Sequence, residues 1–181
     1  MNIAVLVYHD VLDFEVSAAM TAFKTANRFL EQSLEVYSLH RTRASVLGAS
    51  GLVMTPSYAI SGAPVPDILV LPGGAGIEKL VRDATTKEFI QNVRPKHTIL
   101  GSNAPILYGE YGLLEQRSIT VFPALQETVW KFNPAEVLPD LTVQDKDLWS
   151  ISRSSAMLEA CFQVLDLECG VGRQVRAHLG A

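Results

Sequence analysis

Short apolar runs alternate along the chain with longer segments of helical spacing. Ile3–Tyr8 and Ile68–Leu71 are continuous apolar runs, typical of strands that are buried on both faces. Between them, Val16–Leu30 carries apolar residues at helical spacing, and Leu34–Leu39 indicates a second strand. The alternation predicts an α/β fold, a parallel sheet sandwiched between helices on both faces, and a single domain over residues 1–181.

The same patterns predict the rest of the secondary structure. In chain order, the further predicted elements are a hairpin or excursion at 45–55, a loop at 56–66, helices at 77–82 and 86–93, a strand at 97–100, a helix from about 104, a strand at 119–122, a helix at 125–132, a strand pair at 141–144 and 148–152, and helices over 154–179 with a break at 170–172. The sequence contains no repeat or low-complexity linker that would divide it.

The composition of the chain argues against several classes of function. The net charge of −4 and a charged fraction of 19% argue against a nucleic-acid surface, which needs clustered Lys and Arg. The apolar start lacks the charged region and cleavage site of a signal peptide and is too short to span a bilayer, so we expect no membrane partner. Cys161 and Cys169 lie near one helical segment and suggest neither a disulfide framework nor a zinc site, which makes a cytoplasmic location the default.

Two strand-to-loop junctions carry most of the chemical interest. They are Asp67–Gly76, which contains Pro-Gly-Gly, and Thr98–Leu114, which contains Gly-Ser-Asn-Ala-Pro. In a parallel sheet the loops at the carboxyl ends of strands form the usual ligand-binding crevice. We therefore expect these two junctions to face a shared cleft for a small-molecule ligand or substrate.

Ser102 lies in the second junction, between a buried strand and a helix. A Ser or Cys on such a tight turn is the arrangement expected of a nucleophile beside helix N–H groups. The alternative is that Ser102 or Asn103 caps the helix, and the motif alone favours capping. A Gly-x-Ser-x-Gly hydrolase elbow is absent.

Glu15 is the second candidate, because it follows the first strand. An apolar surrounding would make its carboxylate a usable general acid or base near neutral pH. The alternative, an acid that complements the dipole of the following helix, is equally supported.

Three further features could serve a ligand. Gly73-Gly74 permits close backbone approach and could offer N–H donors, although a tight turn explains it equally well. Arg153, at a strand end, could bind a carboxylate, and a surface salt bridge is its alternative. His9 could reach the pocket, the other three histidines are expected at exposed edges, and no pair has metal-ligand spacing. The sequence therefore predicts no metal and no cofactor.

Taken together, the segments resemble the DJ/ThiJ/PfpI superfamily, relatives of class I glutamine amidotransferase domains. The resemblance is nearest to isonitrile hydratases and to the amidase-like sensor domains of AraC-type regulators. It covers nearly the whole chain and rests on Val7–Glu15, Phe23–Arg28, Gly51–Pro56, Asp67–Gly74, Gly112–Leu114 and Arg117. It implies a flavodoxin-like, glutamine amidotransferase-like fold and a homodimer.

The sequence departs from the superfamily at the active site. The family's Cys-Thr-Gly elbow falls on Ser102-Asn103-Ala104, and its Thr-His-Trp strand end falls on Val121-Phe122-Pro123. The resemblance therefore places Ser102 at the nucleophile position and Phe122 at the usual His, and it carries the family's acid over to Glu15. Because the thiol is missing, thiolate chemistry is excluded at this site.

Two functions remain open. In the first, the chain is a small-molecule enzyme of hydratase, lyase or isomerase type. Glu15 is then the general acid/base, Ser102 stands at the nucleophile elbow, and Gly74, Asn103, Phe122 and Arg153 bind substrate. In the second, it is a non-catalytic ligand-binding or regulatory domain on a degenerate amidase-like scaffold. Protease activity is not expected without a Cys/His pair.

Overall fold

The computed structural model describes all 181 residues and is built around a mostly parallel β-sheet. The strands are β1 (Asn2–Leu6), β2 (Glu35–His40), β3 (Val46–Leu47), β4 (Val53–Met54), β5 (Tyr58–Ala59), β6 (Ile68–Leu71), β7 (His97–Leu100), β8 (Ser118–Ile119), β9 (Glu136–Val137), β10 (Thr142–Asp145) and β11 (Leu148–Ile151). The helices are α1 (Asp13–Ala26), α2 (Ile77–Leu80), α3 (Ala84–Asn92), α4 (Ala104–Glu110), α5 (Gln126–Val129), α6 (Met157–Cys169) and α7 (Gly172–Leu179).

The main sheet has seven strands in the order β10-β11-β7-β6-β1-β2-β5. Only the β10–β11 pair is antiparallel. Strands β6, β7 and β11 are buried along their whole length, and for β6 the apolar sequence predicts this. This arrangement confirms the predicted α/β fold with a parallel sheet and flanking helices.

Small residues allow the helices to pack closely. Helix α1 buries Ala18, Ala19, Ala22 and Ala26 at helical spacing, and it packs against α6 and α7. Helix α4 packs against α2 and α5. No helix combines the length and the apolar character that crossing a bilayer requires.

Some element boundaries differ from the predicted ones. Helix α1 begins at Asp13 and ends at Ala26, four residues before the predicted end at 30. The reason is Asn27, whose Oδ1 accepts the Leu34 N–H at 2.6 Å and whose Nδ2 donates to the Leu34 carbonyl at 3.1 Å. This side-chain clamp turns the chain toward β2.

The predicted strand at 119–122 is shorter and lies outside the main sheet. Strand β8 pairs only with β9, which the sequence pattern did not indicate. Past β8, the Thr120 N–H donates to Ser150 Oγ at 2.9 Å, and the Phe122 N–H donates to the Ser102 carbonyl at 2.8 Å. These bonds fix residues 120–122 across the ends of β11 and β7. The predicted loop at 56–66 also contains the short edge strand β5.

Candidate functional site

The two predicted junctions lie side by side. Strands β6 and β7 are parallel neighbours in a register that pairs Leu71 with Leu100. The Gly101 N–H donates to the Leu71 carbonyl at 2.8 Å, which brings the Gly101-Ser102 turn against Pro72-Gly73. As expected, both turns lie at the carboxyl end of the sheet.

The Glu15 side chain forms hydrogen bonds to both of these turns. It lies in the first turn of α1, and its side chain is fully buried, with 0% exposure. Its Oε2 accepts the Gly73 N–H at 2.6 Å, and its Oε1 accepts the Ser102 N–H at 3.2 Å and the Ser154 hydroxyl at 2.7 Å. One carboxylate therefore connects α1 to the turns after β6, β7 and β11.

The surroundings of Glu15 differ from the apolar pocket that the sequence suggested. Three donors contact the carboxylate, and an ionised carboxylate is an acceptor only, so each donor suits it. The Ser102 group that bonds Glu15 is the backbone N–H, and the hydroxyl is not among the donors. Glu15 also does not line the cavity described below but lies behind its wall.

Ser154 is the site residue that sequence reasoning missed. It follows Arg153 just after β11, in a serine-rich stretch where no single hydroxyl stands out. Only the pairing of β11 with β7 places it near Ser102, and only the structure shows its hydroxyl on Glu15. It also lines the cavity.

Two hydrogen bonds join Gly74 and Asn103. Asn103 Oδ1 accepts the Gly74 N–H at 2.8 Å, and Asn103 Nδ2 donates to the Gly74 carbonyl at 3.1 Å. The Gly74 N–H is thus not a free donor, contrary to expectation. Gly74 has a φ of +152°, and a Cβ there would lie 2.3 Å from the Asp10 carbonyl oxygen, so only glycine fits.

The capping alternative for this turn is wrong. Asn103 occupies the N-cap position of α4, but no side chain accepts a capping hydrogen bond there. Instead, the Asn103 side chain ties the β7–α4 turn to the β6–α2 turn. The backbone N–H groups of Asn103 and Ala75 have no acceptor within the protein.

A cavity of about 430 Å³ opens above these turns. It brings together five of the six predicted site residues, all except Glu15. Its lining consists of Leu12, Gly74, Ala75, Ser102, Asn103, Phe122, Ala124, Leu125, Arg153 and Ser154. The walls are mostly apolar, and a few polar groups lie at the Ser102 end and at Arg153.

The cavity has no imidazole beside Ser102. Phe122 lines it with 47% of its surface exposed, and a phenyl ring cannot accept a proton from the Ser102 hydroxyl. Tyr8 is buried nearby, but its hydroxyl donates to the Pro72 carbonyl at 2.7 Å. Burial, and then the charge of Glu15, raise the pKa of Tyr8, so its hydroxyl stays protonated.

Arg153 is a cation without an ion partner. No carboxylate lies within salt-bridge distance of its guanidinium, so the alternative of a surface salt bridge is wrong. The residue is exposed, has an extended backbone, and lines the cavity. Its five N–H donors therefore remain available to an anion.

The other titratable candidates lie elsewhere. His97 is buried rather than exposed, because its Nδ1 accepts the Trp149 indole N–H and its Nε2 donates to Glu168 at 2.9 Å. Cys161 is buried in α6, and burial raises the pKa of its thiol. No group of three or more His, Cys, Asp or Glu side chains could hold a metal ion.

Comparison with known proteins identifies relatives of this chain. Isonitrile hydratase of Pseudomonas putida is 25% identical over 119 residues, which cover 65% of this chain and 52% of the relative. The chain thus spans about half the length of that curated relative.

Solved structures share the fold. A ThiJ/PfpI family protein from Pseudomonas syringae superposes with a TM-score of 0.89 at 18% identity, over 99% of this chain and 74% of the other. An AraC family transcriptional regulator from Pseudomonas putida gives a TM-score of 0.82 at 17% identity, over 98% of each chain. The DJ-1/PfpI family matches residues 1–167, and the chain belongs to that family.

Proposed function

We propose that the cavity above Ser102 binds a small organic molecule with an anionic end, and that this chain is a ligand-binding member of its family. The observation that carries the proposal is the fully buried Glu15 carboxylate, held by three protein donors directly beneath a cavity of ligand size. A carboxylate held in this way supports the shape of the site rather than reacting within it.

The dimensions and walls of the cavity support this proposal. A volume of about 430 Å³ is within the usual range for small-molecule sites, roughly 300–1,000 Å³. Such sites combine apolar walls with a few polar groups that fix orientation. Here Leu12, Phe122 and Leu125 supply apolar wall, and Arg153 supplies the cation.

The polar end favours an anion. The N–H groups of Ala75 and Asn103 have no acceptor in the protein, and both residues line the cavity. The Ser102 hydroxyl adds a third donor, and the unpaired Arg153 adds positive charge. A ligand with a carboxylate group and a short apolar chain would contact each of these groups.

A second candidate function is hydratase, lyase or isomerase chemistry. Two observations favour it: the similarity to an isonitrile hydratase, and the Ser154 hydroxyl, which lines the cavity and lies 2.7 Å from Glu15. Through Ser154, Glu15 could exchange a proton with a substrate that it does not contact. Glu15 would then be the general acid/base, and Ser102 would orient the substrate.

The Ser154→Ala variant separates the two candidates. It removes the only side chain that links Glu15 to the cavity and leaves two backbone N–H donors on the carboxylate. Ser155→Ala, at an exposed neighbouring position, is the matched control. Turnover of isonitriles, nitriles and small electrophiles is measured by mass spectrometry, together with ligand-induced changes in the melting temperature.

Ligand binding without turnover, retained in Ser154→Ala, supports the binding function. Turnover that falls by about 100-fold or more in Ser154→Ala, but not in Ser155→Ala, supports the enzyme, because general acid–base catalysis typically contributes 10²–10⁴-fold. A homodimer, which the family resemblance implies, and a cytoplasmic location, which the cysteine content suggests, remain predictions.

A further inference from the structure

A second cavity, of about 270 Å³, lies beyond the segment that closes the first one. Gly74 and Ala75 line the Ser102 cavity, whereas Gly76 lines the second, so residues 74–76 separate the two. The second lining consists of Tyr8, His9, His40, Arg41, Thr42, Ala44, Ser45, Gly76, Lys79, Leu80 and Asp83. A larger share of its lining is polar than in the Ser102 cavity.

Four basic side chains converge on this cavity from distant parts of the chain. His9 follows β1, His40 ends β2, Arg41 follows β2, and Lys79 lies in α2. The whole chain is acidic, with a net charge of −4, so this clustering runs against its overall composition. Apart from the histidines, Arg41 and Lys79 supply two positive charges to the lining and Asp83 supplies one negative charge, so the lining has a net charge of +1. A positively charged concave site concentrates anions.

Two carboxylates pair with the cations of this cavity, and both ion pairs are long. Asp83 is the N-cap of α3, and its two oxygens accept the Thr85 N–H at 3.2 Å and the Thr86 hydroxyl at 2.9 Å. Arg41 reaches Asp83 only at 3.9 Å. Lys79 lies 3.5 Å from Asp10 in a largely exposed pair, which contributes little to holding either side chain.

The two histidines offer opposite hydrogen-bonding groups. The Leu47 N–H donates to His9 Nδ1 at 3.1 Å, so the ring proton of His9 is on Nε2, which is a donor. His40 Nδ1 lies 2.9 Å from the Val7 carbonyl, which only accepts, so Nδ1 carries the proton and Nε2 is an acceptor. Burial lowers the pKa of His40, which keeps this ring neutral at neutral pH.

We propose that this second cavity binds a small oxyanion that also carries a hydroxyl group, such as a hydrogen phosphate group or an α-hydroxycarboxylate. Arg41, Lys79 and His9 Nε2–H contact the oxyanion, and the hydroxyl donates to His40 Nε2. The acceptor on His40 sets the specificity, because an anion without an O–H group leaves it unpaired.

The test is an NMR titration of the protein with inorganic phosphate and with sulfate, at neutral pH and constant ionic strength. Hydrogen phosphate carries a P–OH group, whereas sulfate of the same shape does not. We expect phosphate to shift the Gly76 amide and the ring nitrogens of His9 and His40, and to bind about tenfold or more tightly than sulfate. Glycolate and acetate repeat the comparison for carboxylates and show which oxyanion the cavity prefers.

Two variants assign the roles of the residues. Arg41→Gln/Lys79→Gln should weaken phosphate binding by about tenfold or more, because it removes both charge-assisted contacts. The control, Arg43→Gln/Arg173→Gln, makes the same change in net charge outside the cavity and should leave affinity within about twofold.

His40→Asn tests the acceptor directly. The Asn amide can still donate to the Val7 carbonyl but has no ring Nε2, so the preference for phosphate over sulfate should fall to about threefold or less. Equal binding of phosphate and sulfate to the unaltered protein would overturn the proposal. So would unchanged affinity in the Arg41/Lys79 variant, or shifts confined to residues outside this cavity.

Discussion

Glu15→Gln is the substitution that most directly tests how the candidate site is held. Oε2 accepts the Gly73 N–H, and Oε1 accepts the Ser102 N–H. A Gln amide has one oxygen and one NH₂ group, so either orientation places a donor against a backbone N–H. The Ser154 hydroxyl can turn to accept from the NH₂ group, but one backbone N–H always loses its acceptor.

The expected cost follows from these contacts. A buried donor that is left unsatisfied costs about 1–3 kcal/mol, and bonds to a charged group contribute about 1.5–3 kcal/mol each before the charge is removed. We expect Glu15→Gln to lower the free energy of unfolding by about 2–4 kcal/mol. For a domain of this size, that loss lowers the melting temperature by about 5–15 °C.

Urea denaturation followed by circular dichroism measures this loss. Glu78→Gln, at an exposed position in the first turn of α2, is the control and should stay within about 0.5 kcal/mol of the unaltered protein. Ser154→Ala should fall between the two, at about 1 kcal/mol, because it removes one donor of three. A Glu15→Gln protein as stable as the unaltered one, or more stable, would refute the structural role and favour a reactive carboxylate.

Three further predictions concern other parts of the chain. Gly101→Ala should destabilise the fold by about 1–3 kcal/mol or more, because the added Cβ would clash with the Glu15 carboxylate and with the backbone. Gly62→Ala should be neutral, because the added Cβ would lie in open space, and urea denaturation measures both variants. The hydrogen bond from His97 holds the pKa of Glu168 below its ordinary value of 4.5. The unaltered protein should therefore be more stable than Glu168→Gln, by a constant amount above pH 4.5 and by a decreasing amount as the pH falls through the folded-state pKa. Denaturation at a series of pH values measures this difference. Cys161 should not react with a thiol reagent until the protein unfolds, as mass spectrometry of the labelled protein would show.

The parts of the fold that sequence predicts best are those with strong local signals. Strands β6 and β7 match their predicted bounds at both ends, because a buried strand is a short apolar run closed by Gly or Pro. The β10–β11 hairpin and the break before α7 lie within one residue of their predicted bounds, since turn residues mark them. The short strands β5 and β9 carry no such signal, because two residues are too few to show a period.

The sequence predicts which residues lie at the candidate site better than it predicts the hydrogen bonds among them. Parallel-sheet geometry brings Ser102, Gly74 and Arg153 to one cavity, as the sequence indicated. The partner of each polar atom was not predictable, because it depends on register and rotamer. Glu15 bonds the Ser102 backbone instead of its hydroxyl, and Asn103 bonds Gly74 instead of capping α4.

The burial of His97 was also not predictable from the sequence. It lies at the start of β7, where the pattern predicts an exposed edge. The structure buries it because Glu168 and Trp149 satisfy both ring nitrogens from α6 and β11. Burial of a polar side chain is decided by partners that are distant in sequence.

The most direct test of the central claim is ligand-induced stabilisation in a variant whose Ser102 cavity is filled. Melting temperatures are measured for the unaltered protein, Ala75→Trp in the cavity wall, and Ala84→Trp at an exposed position in α3, each with a panel of short-chain carboxylic acids. A ligand at 100 times its Kd adds about 2.7 kcal/mol of stability. We predict that at least one acid raises the melting temperature of the unaltered protein and Ala84→Trp equally and leaves Ala75→Trp unchanged. Equal rises in all three proteins, or no rise with any acid, would contradict the account.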